Sequence, residues 1–100
     1  MSRRDIQLIL SPRAEDDFTD ILQYTFETRG EAQVAIYGAI IDKALLTIQQ
    51  FPQIGHALPE ISGIHRLFSA GHHIIIYRVT DHAVYVSRIL HERMDIARHL

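Results

Sequence analysis

The sequence predicts an α+β domain in the order β-α-α-β-β-β: an N-terminal strand, an αα-hairpin, then a three-stranded antiparallel meander. Three observations carry it. Between residues 12 and 50 the apolar residues recur every three or four positions, as in helices that bury one side. From His65 to Leu90 they gather instead into short runs rich in β-branched and aromatic residues. Between the two regions lies Pro52–Gly63, PQIGHALPEISG, with two prolines and two glycines, a stretch rich in turn formers. The helical hairpin is expected to cover one face of a largely antiparallel sheet.

The first strand is Ile6 to Leu10, with Ile6, Leu8 and Leu10 on one face and Gln7 and Ile9 on the other. Ser11-Pro12 stops it and begins a helix, because Ser11 can cap free backbone N–H groups and Pro12 at the first helical position needs no donor. Glu15, Asp16 and Asp17 then lie near the positive end of the helix dipole. Ala14, Phe18, Ile21, Leu22 and Thr25 form the inward stripe; Asp16, Asp17, Asp20 and Gln23 occupy the other side. Arg29-Gly30 marks the helix end, with Gly30 expected in the left-handed conformation. A second helix runs from Glu31 to Gln50, and its apolar residues cover more than one face. Phe51-Pro52 ends it, since a residue before proline disfavours helical angles.

Pro52–Gly63 reads as a loop crossing from helix to sheet. The meander follows as His65–Ser69, a turn at Ala70-Gly71, His72–Val79, and Ala83–Leu90, with Asp81-His82 near the hairpin tip. A two-residue tip loop places Arg78 on the side of Tyr85 and Ser87. A three-residue loop places it beside Val84 and Arg88. The tail His91–Leu100 can add a last helical turn.

Composition bounds the function. One hundred residues form one domain, and 47% hydrophobic with 22% charged residues is ordinary for a folded protein. There is no cysteine, which excludes disulfides and thiolate chemistry. The run MSRRDIQLIL is too short in apolar residues for a secretory leader or a membrane span, so a cytoplasmic protein is expected. The net charge of −2 is unevenly spread. Residues 1–50 hold five basic and eight acidic groups; residues 51–100 hold five arginines, four acids and all seven histidines. Nine of the ten basic residues are arginine, suited to bidentate contact with carboxylate or phosphate. This balance is not that of a protein that coats DNA, and no direct DNA binding by the chain alone is expected. The segment Gly71–Asp95, with His72, His73, His82 and His91 among its apolar residues, is the expected carrier of function, supported by the helical half.

Several segments, in order along the chain, point to a family. They are Leu10-Ser11-Pro12-Arg13-Ala14-Glu15-Asp16-Asp17, then Asp20-Ile21 and Tyr24, and Phe51-Pro52-Gln53-Ile54-Gly55. Arg66-Leu67, Ile76-Tyr77-Arg78-Val79, and the ending Arg88-Ile89-Leu90-His91-Glu92-Arg93-Met94-Asp95 complete the set. Together they resemble the ParE toxins of the RelE/ParE superfamily of type II toxin–antitoxin systems. The resemblance implies a small toxin of stress response and plasmid maintenance. It also implies a ParD-like antitoxin that neutralises it in a hetero-oligomeric complex, and DNA gyrase as the target. RelE-type relatives on the same fold instead cut messenger RNA on the ribosome, so fold alone does not choose.

Candidate residues follow from both readings. In the gyrase reading no residue is catalytic, and Arg78, Arg88, His91, Arg93 and Asp95 are the candidate target contacts. In the nuclease reading Arg66, Arg78, Arg88 and His91 would activate the ribose hydroxyl and stabilise the phosphorane. Against the latter stand a single lysine, Lys43, and the absence of any tyrosine after His91. Each residue also has a structural role open to it: Arg78 and Arg88 as cross-strand ion-pair partners, His91 as a hydrogen-bonded end to the sheet, and Arg93 with Asp95 as a pair within the tail. Phe18, Leu22, Phe26, Ile36, Tyr37 and Ile40 are candidates for antitoxin binding or for core. His65, His72, His73, His82 and His91 have no cysteine or carboxylate at a recognisable ligand spacing, so neither metal nor cofactor is expected.

Overall fold

A computed structural model describes residues 6–100; Arg3 and Arg4, counted in the charge balance above, lie outside them. The elements are strand β1 (Gln7–Leu10), helices α1 (Pro12–Arg29) and α2 (Glu31–Gln50), and strands β2 (His56–Ala57), β3 (His65–Ala70), β4 (His73–Val79) and β5 (Ala83–His91). A 3₁₀ turn at Ile96–Arg98 follows. The expected order is present, with one addition. β2 is a two-residue strand inside the segment read as loop, too short for its alternation to register in sequence, and it pairs antiparallel with β3.

The sheet order is β1-β5-β4-β3-β2. β1 lies parallel to β5, from Gln7 opposite Ala83 to Leu10 opposite Val86, and every other pair is antiparallel. At α1 the start is as read from the sequence: Ser11 Oγ accepts from Ala14 N–H at 3.0 Å, with Pro12 opening the helix. The other end differs. Gly30 has φ 88° but ψ 175°, a mirror-extended conformation rather than the left-handed one. That geometry reverses the chain in a single residue, so Gly30 closes α1 and opens α2 at once.

Both helices lie on one face of the sheet. Ala14 and Ile21 of α1 and Ile41, Ala44, Leu45 and Ile48 of α2 meet Ile75, Tyr77, Val84, Val86 and Ile89. The opposite face is not bare. Ile74, Ile76 and Leu90 form a smaller cluster beneath Leu58, Leu67 and Ile96. The unbroken apolar run Ile74–Tyr77 is therefore that of a strand buried on both sides, and all four residues are buried.

The exit from α2 is tied to the sheet by Tyr77, which is fully buried. Its hydroxyl donates to Pro52 O at 2.8 Å and accepts from Gly55 N–H at 2.9 Å. Burial pushes the phenol's pKa up, so it stays protonated and able to donate. Arg66 adds a second tie, donating to Gly55 O at 2.7 Å and Gln53 O at 3.2 Å. A Cβ at Gly55 would lie 2.5 Å from the Tyr77 hydroxyl and 2.8 Å from Leu67 O. Gly55→Ala is therefore expected to destabilise by about 1–3 kcal/mol through overpacking. Gly63→Ala, where nothing lies within 4 Å, should leave stability within about 0.5 kcal/mol. Urea denaturation of both variants distinguishes the two.

Candidate functional site

The basic residues of the meander separate on folding. Arg66 lies opposite Tyr77 on the helix-facing side, and its guanidinium is bound to the Gln53 and Gly55 carbonyls. Arg78 lies on the other face, opposite His65 on β3 and Tyr85 on β5. The hairpin tip thus follows the two-residue alternative, and the guanidinium stacks 4.3 Å from the centre of the Tyr85 ring. The register then shifts at a bulge between Ile76 and Tyr77, whose partners are Arg88 and Val86, leaving Ser87 as the extra residue.

Arg88 is held by Asp17 of α1. Its Nε donates to Oδ2 at 2.8 Å and a terminal nitrogen to Oδ1 at 2.9 Å, with both side chains about 15% exposed or less. Ile89 N–H donates to the same Oδ2 at 2.9 Å. Burial pushes the Asp17 carboxyl up, but hydrogen bonds from Arg88 and Ile89 and the charges of Arg88 and Arg13 outweigh it and hold the carboxyl below its usual range. Asp17, placed by sequence on the outer side of α1, is turned toward the sheet edge because β5 has a backbone donor and a cation there. Arg88 accordingly has a structural partner rather than an open surface.

His91 ends β5 with Nδ1 accepting from Arg93 N–H at 3.2 Å, the backbone role open to it from sequence. Arg93 and Asp95 do not pair within the tail. Asp95 instead caps the 3₁₀ turn, accepting from Ala97 N–H at 3.1 Å.

The same end of the sheet forms one wall of a groove of about 450 Å³, closed on the other side by the helices. Tyr24, Thr28 and Arg29 come from α1, Gln33, Tyr37 and Ile40 from α2, and His72, His73 and His91 from the β3–β4 turn and strand ends. Tyr37 organises its floor. The hydroxyl accepts from His72 N–H at 2.9 Å and lies 2.5 Å from His73 Nδ1 and 3.5 Å from Ala70 O. The His73 ring meets Tyr37 and His91 edge-on. Burial, then the neighbouring His91 and His72, lowers the His73 pKa, so the imidazole is neutral at pH 7. Burial likewise raises that of Tyr37. At the rim His72 Nδ1 lies 3.1 Å from Glu92, an exposed contact.

The six apolar candidates divide. Tyr37 and Ile40 line this groove, whereas Phe18 and Leu22 line a separate one with Glu15 and Asp16. Phe26 and Ile36 are exposed and line neither. Tyr24, 68% exposed, was legible only as part of a motif, and Thr28 and Gln33 of the lining carried no signal in the sequence. Among the described residues no group of three or more histidines and carboxylates is spaced to hold a metal ion.

Residues 8–96 match the family described as ParE toxin of type II toxin–antitoxin system, parDE. The chain belongs to the ParE toxin family. It is thus the toxin component of a type II toxin–antitoxin system. It is similar to Toxin ParE1 of Mycobacterium tuberculosis, 37% identical over 93 residues covering 92% of this chain and 95% of the relative. Toxin ParE1 of Caulobacter vibrioides is 31% identical over 91 residues, covering 91% and 94%. The fold is shared with the chromosomal ParDE TA system from P. aeruginosa, with TM-score 0.76, 17% identity and coverage of 90% and 98%. The YoeB dimer from Staphylococcus aureus shares it more loosely, with TM-score 0.61, 16% identity and coverage of 87% and 97%. No helix of this ParE chain, among the described residues, is long and apolar enough to cross a membrane.

The Asp17–Arg88 pair makes a pH-dependent contribution to stability. A carboxyl whose folded pKa is depressed stabilises above its unfolded value, near 4, and loses that contribution as pH falls through the folded value. Asp17→Asn is expected to cost about 2 kcal/mol at pH 7, where a partly buried cation loses its partner. The gap to the parent chain should narrow below about pH 4. Thermal melts of both proteins at pH 7 and pH 3 measure it.

Proposed function

We propose that this ParE chain acts by protein contact, with DNA gyrase as its target, and that a ParD-like antitoxin neutralises it in a hetero-oligomeric complex in the cytoplasm. The observation that carries the contact reading is the dispersal of the basic side chains. Arg66 is bound to two loop carbonyls, Arg88 to Asp17, Arg78 is stacked on Tyr85 on the opposite face from Arg66, and His91 belongs to the groove. Cleavage of RNA by these four would require a base, an acid and a cation within hydrogen-bond reach of one phosphate. Four groups committed to separate partners favour recognition over catalysis.

Gyrase as target rests on the resemblance to ParE toxins, and Arg78 is the best-placed target contact of the candidates. It lies on the sheet face opposite the helices, and among the described residues its guanidinium has an aromatic ring but no hydrogen-bond acceptor. The antitoxin is supported by the ParDE TA system named for the P. aeruginosa structure and by this chain's groove. Tyr24 and Ile40 expose apolar surface along it, as a recognition helix or extended tail requires.

The deciding experiment compares gyrase supercoiling with messenger RNA integrity on ribosomes, both treated with the purified chain. Loss of supercoiling with intact RNA is expected; RNA cleavage with normal supercoiling would overturn the proposal. Arg78→Ala should reduce gyrase inhibition about tenfold or more, the scale of a charged interface anchor, with an unchanged melting temperature. Arg88→Ala should instead lower the melting temperature.

A further inference from the structure

The groove carries an imbalance of charge that antitoxin docking alone does not explain. In a chain of net charge −2, with eight acids in its first half, no carboxylate among the described residues lines it, and Glu92 meets His72 only at the rim. Besides the hydroxyls of its Thr and Tyr side chains, its polar lining is Arg29, Gln33 and the imidazoles of His72, His73 and His91. Tyr37 engages His73 Nδ1, so Nε2 is the ring nitrogen left for a further partner. Groups from three elements bear on this imidazole: Tyr37 from α2, His72 from the turn, and His91 from β5 with Glu92 just beyond it at the rim; Arg29 of α1 lines the same groove.

We propose that this end of the groove receives a carboxylate side chain, an Asp or Glu of the antitoxin segment whose apolar neighbours cover Tyr24 and Ile40. A carboxylate is the complementary group: it accepts from several donors at once, and its charge offsets the burial and the neighbouring His91 and His72 that disfavour a proton on His73. The inference rests on the antitoxin reading and adds the chemistry of the contact.

Its sign in pH follows by linkage. The partner's carboxyl is ionised above about pH 5. Binding it makes His73 easier to protonate than in the free chain. Affinity is therefore greatest below the free histidine range and falls as pH rises through the range of the complex. About tenfold tighter binding at pH 6 than at pH 8 is expected, equivalent to one charge-assisted contact.

The test uses the full chain and a full-length ParD-like antitoxin, with each Asp or Glu of the antitoxin's toxin-binding tail changed singly to Asn or Gln. One such change should weaken binding about tenfold. The loss should shrink to less than threefold when this chain carries His73→Gln. Because His73 also supports Tyr37, the same cycle is run with Arg29→Gln and His91→Gln, and coupling to at least one of the three is required. Tight binding with no coupling, or with no dependence on pH between 6 and 8, overturns the inference alone. Absence of antitoxin binding to the folded parent chain overturns the antitoxin reading and this inference with it.

Discussion

The carboxylate of Asp17 is where the helical layer and the sheet are fastened together. β1 ends at Leu10, opposite Val86, so beyond that point β5 has no neighbouring strand on its outer side. The start of α1 completes the edge. Ser11 N–H donates to Val86 O at 2.9 Å, Ser11 Oγ donates to Ser87 O at 2.8 Å, and Asp17 accepts from Ile89 N–H. A helix terminus thereby supplies the partners that a longer β1 would otherwise provide, and the edge is closed to pairing with another chain.

The bulge at Ser87 is what makes this possible. Without the extra residue, strict alternation after Val84 and Val86 would turn residue 88 toward the helices, placing a guanidinium in the main core at a cost of several kcal/mol. With it, Arg88 faces the side of Ile76 and Ile89 enters the core. Arg88 then reaches around the edge to Asp17 and also donates to His99 O at 3.4 Å, which draws in the C-terminal turn that carries Ile96 over the second cluster. One inserted residue thus sets the facing of the cation, the closure of the edge and the cover on the sheet's far side.

Most of the fold was legible in the sequence because its signals are local. Ser11-Pro12, the helical stripe from Ala14 to Thr25, Phe51-Pro52 and the β-branched runs each act within one turn or one strand. What escaped depends on contacts between residues far apart in the chain. β2 exists only because His56 and Ala57 lie beside Leu67 and Arg66. Asp17 reads as one more acid on a solvated helix face until its partner, 71 residues away, is in place. The site was less legible still. His91 and Tyr37 were singled out for different reasons, and only the chain's closure puts them in one groove, with an unpatterned Gln33 and Arg29 between them. The bulge is invisible for the same reason: nothing in Val86-Ser87-Arg88 departs from an ordinary strand.

The groove is also built into the fold rather than added to it. Tyr37 closes the β3–β4 turn by accepting from His72 N–H, and Gly71, at φ 61°, admits the tyrosine ring where a Cβ would lie 2.8 Å from it. The contact that holds the turn therefore also orients His73 against the helices. A partner that enters finds the imidazole already placed, so little ordering on this side is charged against the binding energy. Tyr24 of α1 and Ile40 of α2 line one channel, where the two helices pack against each other. Neutralisation by a tightly held partner needs this kind of rigid receiving surface more than it needs reactive chemistry. In this chain the sheet's strongest cation is spent on holding α1 to β5, and the aromatic and imidazole groups are left facing the groove.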